Sequence, residues 1–255
     1  MAEYHVDSFI LLNKKELSVM KNMKKTICTL GLIAVTATAY AADSVDVKVI
    51  GTISPAACAP TLGGGGTVDY GTIKANALAA DDYTTLAVKT VSLSITCDAP
   101  AKVGIHVLNG RPGTTAGAAE GGPMSSALAP VALLDIPAGQ YPVVGLGADG
   151  TSDIGGYGIG IVESSLKVDG NAVDLILTDM SDRSRYTMED VDYPLYDPNN
   201  DSLFTWAAPG TLTPVAFTTM AGTLNVQAYL NKASELDLTK EVQLDGLTTI
   251  EIVYL

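Results

Sequence analysis

Apolar side chains recur at every second position through segment after segment of this chain, and no stretch carries an apolar helical period longer than three turns. That spacing sets one face of a strand in a core and the other in water, so it points to sheet. Val45, Val47 and Val49 alternate with Asp46, Lys48 and Ile50, and Gly51, Thr52 and Ile53 continue the run toward Cys58. Residues 67–73 read as another short strand. So do residues 90–97, with Val91, Leu93 and Ile95 on one face, and residues 102–108, with Val103, Ile105 and Val107. Residues 156–162 form a strand whose glycines leave one face bare, which suits close packing or a bulge. Asp169-Gly170-Asn171 predicts a hairpin turn within residues 166–173, and residues 223–230 and 248–255 close the chain as strands. The four glycines at 63–66 are a hinge or turn and not a phosphate loop, because no Lys-Ser or Lys-Thr follows them. Residues 109–126, rich in Gly, Ala, Pro and Thr, read as a long loop. Short strands separated by Gly and Pro turns favour an all-β sandwich over a barrel or an α/β fold.

Composition narrows the partners. Of the 255 residues only 17% are charged, too few for the exposed faces of a bundle, while 47% are hydrophobic, too many for a disordered chain. The net charge of −13 excludes a nucleic-acid partner, since phosphate binding needs clustered Lys and Arg.

Residues 20–41 read as a signal peptide. Lys21, Lys24 and Lys25 precede an apolar run over 26–35, and Ala39-Tyr40-Ala41 satisfies the A-x-A rule, so cleavage is expected between Ala41 and Ala42. The run is too short to span a bilayer, which takes about 20 residues. Residues 1–19 then stand as an upstream extension from a wrongly chosen start codon, because a leader that began at Met1 would exceed the usual length. Without residues 1–41, which hold five Lys and three acidic residues, 10 basic and 25 acidic residues remain, a net charge of −15. The expected compartment is the periplasm, then a cell-surface fimbrium or the medium.

Two cysteines remain in that exported chain, Cys58 and Cys97, and in an oxidising compartment they read as one disulfide. A metal site on the two thiolates lacks nearby partners of the right type. Residues 179–206 differ from the rest. They hold seven Asp and Glu among Tyr186, Tyr193, Tyr196, Phe204 and Trp206, and read as a long exposed insertion in a single domain spanning 42–255. The aromatics there would form either a recognition patch or pins that hold the loop to the sandwich. Asp197-Pro198-Asn199-Asn200-Asp201 has the side-chain oxygens of a calcium loop but Ser202 at the sixth position and Ala208 at the twelfth, so an Asx-rich turn is the better reading. His106, lone in the processed chain, lies opposite the apolar face of its strand, and no G-x-S-x-G elbow accompanies it.

The ordered set of features resembles the pilin family of chaperone–usher fimbriae: an alternating amino-terminal segment leading to Cys58, then Val68-Asp69-Tyr70-Gly71-Thr72-Ile73, then a strand ending at Cys97, the Gly158-Ile159-Gly160-Ile161 stretch, and a last strand with Tyr254 penultimate. The chain also resembles the GltF-like periplasmic proteins. The pilin resemblance implies an immunoglobulin-like Greek-key sandwich short of its final strand, with no cofactor, no metal and no enzymatic activity. An apolar groove beside an unpaired strand edge would then take a strand from another chain. Residues 43–53 would be the donor, with Val45, Val47, Val49 and Ile53 filling the groove and Gly51 letting two backbones approach. Ile250, Ile252 and Tyr254, on one face of the last strand, would belong to the acceptor edge. The implied partners are other fimbrial subunits, a periplasmic chaperone, an outer-membrane usher and a host glycan or protein receptor. A monomeric periplasmic accessory protein that completes its own sheet is the alternative.

Overall fold

The computed structural model describes residues 46–54, 56–188 and 193–255. The leader, the expected cleavage site at Ala41 and Ala42, and Val45 lie outside the described residues. Two units are distinguished, residues 1–52 and 53–255. In the first, residues 46–52 form no strand, and Val47 and Val49 are 85% and 94% exposed. The strand expected there is absent over its described part. Period-two alternation makes a strand only where a neighbour accepts its hydrogen bonds.

The second unit is all-β, with no α-helix among its described residues. The larger sheet orders β1 (Cys58–Leu62), β3 (Lys89–Ala101), β15 (Phe217–Leu230), β9 (Gly155–Val168), β6 (Pro142–Gly145) and β5 (Ala127–Leu128). The short β2 (Thr84–Thr85) joins β15, while β10 (Asn171–Ala172) and β13 (Tyr193–Pro194) join β9. The smaller sheet orders β12 (Asp182–Met188), β11 (Asp174–Asp179), β14 (Ser202–Ala207), β4 (Val103–Asn109) and β16 (Thr248–Tyr254). A hairpin of β7 (Ala148–Asp149) and β8 (Ser152–Asp153) stands apart from both.

One core lies between the two sheets, in the manner of a β-sandwich. From the larger sheet it takes Val91, Leu93 and Ile95 of β3, Ile159 and Ile161 of β9, and Leu224 and Val226 of β15. From the smaller it takes Val103, Ile105 and Val107 of β4 with Phe204 and Trp206 of β14. The alternation predicted for β3 and β4 is thus realised as inward-facing side chains. Cys58 and Cys97 oppose each other in the β1–β3 register and form a disulfide. The β9–β10 turn has Asp169 and Gly170 in the left-handed region, φ 48° and 83°, as a two-residue hairpin requires.

The outer face of β9 is bare, as its glycines predict, and aromatic rings occupy the space. A Cβ on Gly156 would meet the Tyr229 ring, and one on Gly158 the Tyr141 ring. These two tyrosines, with Ala129, Leu133 and Val143, form a second apolar cluster outside the sandwich. Next to it, the long loop expected over 109–126 is organised by Glu120, whose carboxylate accepts the backbone N–H groups of Gly113, Thr114 and Thr115 at 2.7, 3.2 and 3.0 Å.

The structure corrects the insertion expected over 179–206. Its end is β14, buried along its whole length and paired with β11 and β4 in the middle of the smaller sheet. Trp206 packs edge-on to Phe217, ring centroids 5.5 Å apart. Of its acidic and Asn residues, Asp182 lies in β12, an exposed edge, Asp197, Asn199, Asn200 and Asp201 lie in the 197–201 turn, and Glu189, Asp190 and Asp192 lie outside the described residues. β14 has no polar face to alternate with, because both of its faces are covered.

Candidate functional site

β16 ends the smaller sheet and, among the described residues, pairs with β4 alone, while β1 ends the larger. An edge strand leaves alternate N–H and C=O groups pointing away from its single partner. A hydrogen bond joins the two edges, the Tyr254 hydroxyl accepting the Cys58 N–H at 2.8 Å. Beyond it lies an apolar groove of about 770 Å³. Residues 66–73, 240–244 and 246–248 line it, and buried core side chains such as Val91, Ile159, Leu224 and Val226 form part of its wall.

Residues 67–73 and 241–247 form no strand. Residues 67–73, expected as a strand, are held by a side chain instead of a ladder. The Tyr70 hydroxyl donates to the Val226 carbonyl at 3.4 Å and accepts the Ala228 N–H at 3.2 Å. It fills a gap in the β15 ladder, between the β3 pairing, which ends at Val226, and the β2 pairing, which begins at Tyr229. Burial pushes the Tyr70 phenol up. Gly71 sits at φ 64°, with its N–H on the Asp69 carboxylate at 2.7 Å, and turns the chain after Tyr70. The other segment is pinned by ions. Asp245 receives two hydrogen bonds from the Arg111 guanidinium, each 2.8 Å, which hold its carboxyl below the ordinary range. Lys240 meets Asp149 at 2.8 Å.

Tyrosines meet at Thr248, the first residue of β16. Its hydroxyl is 2.7 Å from that of Tyr157 and 2.8 Å from that of Tyr196. Burial pushes the Tyr157 phenol up to about 12, and burial raises Tyr196 and Tyr229 as well. Folding therefore favours the neutral phenols. An unfolded tyrosine ionises near pH 10. The stabilisation is complete below that pH and is lost as pH rises through about 12, because only the unfolded chain then releases these protons. Denaturant titrations at a series of alkaline pH values are expected to show stability falling from about pH 10, and Tyr157→Phe to flatten the fall. An equal slope in that variant would refute the assignment.

The expected acceptor residues divide. Ile250 lines the groove, and Ile252 packs half-buried against the core. Tyr254 is 46% exposed and serves as the bridge to β1. Among the expected donor residues, Val47 and Val49 are exposed, Ile53 is fully so, and space is open around Gly51. Sequence reading missed the 236–247 segment, although Leu236, Leu238, Val242 and Leu244 fall at even spacing and were a usable signal.

Away from the groove, His106 is buried with its Nε2 2.7 Å from Asp201 and its Nδ1 3.9 Å from Glu251, so it ties β4 to the 197–201 turn. Asp197 accepts the N–H groups of Asn199 and Asn200 at 2.7 and 3.1 Å, an Asx turn. Among the described residues no group of three His, Cys, Asp or Glu is placed to hold a metal ion. Tyr196, Phe204 and Trp206 are buried and present no recognition patch.

No solved structure matches the chain. It is 27% identical over 251 residues to the uncharacterized protein YhcF of Escherichia coli (strain K12), covering 92% of this chain and all of that one. It is 29% identical over 261 residues to protein GltF of the same strain, covering 92% of this chain and 98% of that one. A family model described as a protein of unknown function, DUF1120, matches residues 47–158, which run from the exposed amino-terminal segment into β9.

Proposed function

We propose that this protein is an exported subunit of the fimbrial type, a structural and adhesive protein that works by strand exchange and not by catalysis. The observation that carries this reading is the apolar groove beside β16. A groove of that kind binds an extended segment in two ways at once: backbone groups of the edge pair with it, and alternate side chains fill the apolar space. The fold in this reading is an immunoglobulin-like Greek-key sandwich one strand short, and the occupant is residues 43–53 of another copy. The exposure of Val47, Val49 and Ile53, which carry the required alternation, supports that choice. A periplasmic chaperone would fill the groove before assembly at an outer-membrane usher, and residues 20–41 would direct the export.

The test compares the chain with and without residues 42–49. The longer form is expected to self-associate as concentration rises and the shorter to remain monomeric. A peptide of residues 43–53 is expected to raise the melting temperature of the shorter form by several degrees, through binding to the folded state alone. The reading fails if both forms are monomeric and equally stable and the peptide leaves both unchanged.

A further inference from the structure

A second cavity, of about 420 Å³, lies on the outer face of the larger sheet and shares no lining residue with the groove. It comes from the glycines of β9. Register sets Gly156, Gly158 and Gly160 beside Tyr229, Gln227 and Asn225 of β15. Aromatic rings cover the first two glycines, but over Gly160 a Cβ would meet only the Tyr141 hydroxyl closely. The trough therefore stays open at that end, with Asn225 lining it. Asn is disfavoured in strand interiors, and the Asn225 amide has no hydrogen-bond partner among the described residues.

A strained turn forms the other side. Leu133 and Ile136 exchange backbone hydrogen bonds of 3.0 and 2.9 Å, and between them Leu134 and Asp135 sit at φ 49° and 63°. Left-handed backbone at a bulky residue persists only where its surroundings enforce it, and such strain clusters at ligand sites. Here Gln227 enforces it: its Oε1 accepts the Leu134 N–H at 2.6 Å while its Nε2 donates to the Leu86 carbonyl at 2.9 Å. The turn places Asp135 at the rim of the cavity, exposed to solvent.

We propose that this cavity binds the terminal ring of a neutral glycan. Its volume is that of a small-ligand site. Leu134 and its aliphatic neighbours offer apolar surface to the C–H face of a sugar. The Asn225 amide both donates to and accepts from hydroxyl groups, and the Asp135 carboxylate accepts a hydrogen bond from a hydroxyl. No Lys or Arg lines the cavity, and the chain carries a net charge of −13, so an acidic sugar is not the ligand. The site stands independently of strand exchange.

The test titrates the purified full chain, amide-labelled for NMR, with methyl glycosides of mannose, galactose, glucose and N-acetylglucosamine. At least one is expected to bind saturably at millimolar concentration and to move the resonances of 134–136 and 225. Asn225→Leu and, separately, Asp135→Gly are expected to weaken that binding about tenfold or more, as loss of a hydroxyl partner does. Asp135→Gly relieves the left-handed strain, so it keeps the fold and the comparison remains readable if Asn225→Leu does not fold. The proposal is overturned if none of the four glycosides binds, if binding survives Asp135→Gly, or if methylammonium moves these resonances more than any glycoside.

Discussion

Replacing Cys58 and Cys97 together by serine is expected to lower the unfolding free energy by about 4 kcal/mol, the loop-entropy value for a closed loop of about 40 residues. The sequence separation of 39 sets that size. The local consequence is as large. β1 has five residues, none of them buried, and one strand neighbour. Apart from its ladder with β3, its main tethers are the disulfide and the Tyr254 hydroxyl on the Cys58 N–H. Without the disulfide, β1 and the following groove segment are expected to open together, so hydrogen exchange over 58–73 should rise well before global unfolding. Urea titrations of the oxidised protein and the double serine variant measure the first effect, and exchange mass spectrometry the second. A loss under about 1 kcal/mol with unchanged exchange would show that hydrogen bonding alone holds β1.

Trp206→Ala is expected to cost about 4 kcal/mol, in the range for a large aromatic removed from a packed core. Trp206 is fully buried in β14, opposite Leu175 and against Phe217. An exposed insertion would put the cost within about 0.5 kcal/mol, so the measurement separates the two placements by a wide margin. Trp206→Phe is expected to cost less than about 1.5 kcal/mol. The indole N–H is buried with no hydrogen-bond partner among the described residues, so removing it recovers part of what the smaller ring loses. Should the phenylalanine variant prove as damaging as alanine, the indole N–H has a partner that matters.

Where one strand face is wet, the sequence shows the strand. β3 and β16 carry period-two alternation and form within a few residues of the expected bounds, whereas β15 begins at Phe217, six residues before the expected 223. β9 was legible for a different reason, since its glycines announced a face that something else must cover, and Tyr141 and Tyr229 cover it. β14 was hidden because both its faces are dry, and the polar turn before it dominated the reading. Residues 46–50 and 67–73 mislead in the opposite direction. They have the rhythm of strands without ladders, the second because the Tyr70 side chain takes the role of a backbone partner. At the groove, Ile250 was legible as a lining residue from its place on the last strand. The 240–248 lining was passed over because Lys240 interrupts the even-position series of Leu236, Leu238, Val242 and Leu244.

The pairing of β4 with β16 joins Asn109 to Thr248 and Val103 to Tyr254, residues well over a hundred positions apart. Such a contact forms only after a very long loop has closed, and topologies rich in distant pairings fold slowly, in milliseconds to seconds. During that delay the flank of β4 is as bare as the edge of β16 is afterwards, so two adhesive surfaces coexist in the nascent molecule. The yield of native protein is then governed by a race between the docking of β16 and aggregation, and any agent that shields β4 meanwhile raises recovery without altering the depth of the native free-energy minimum.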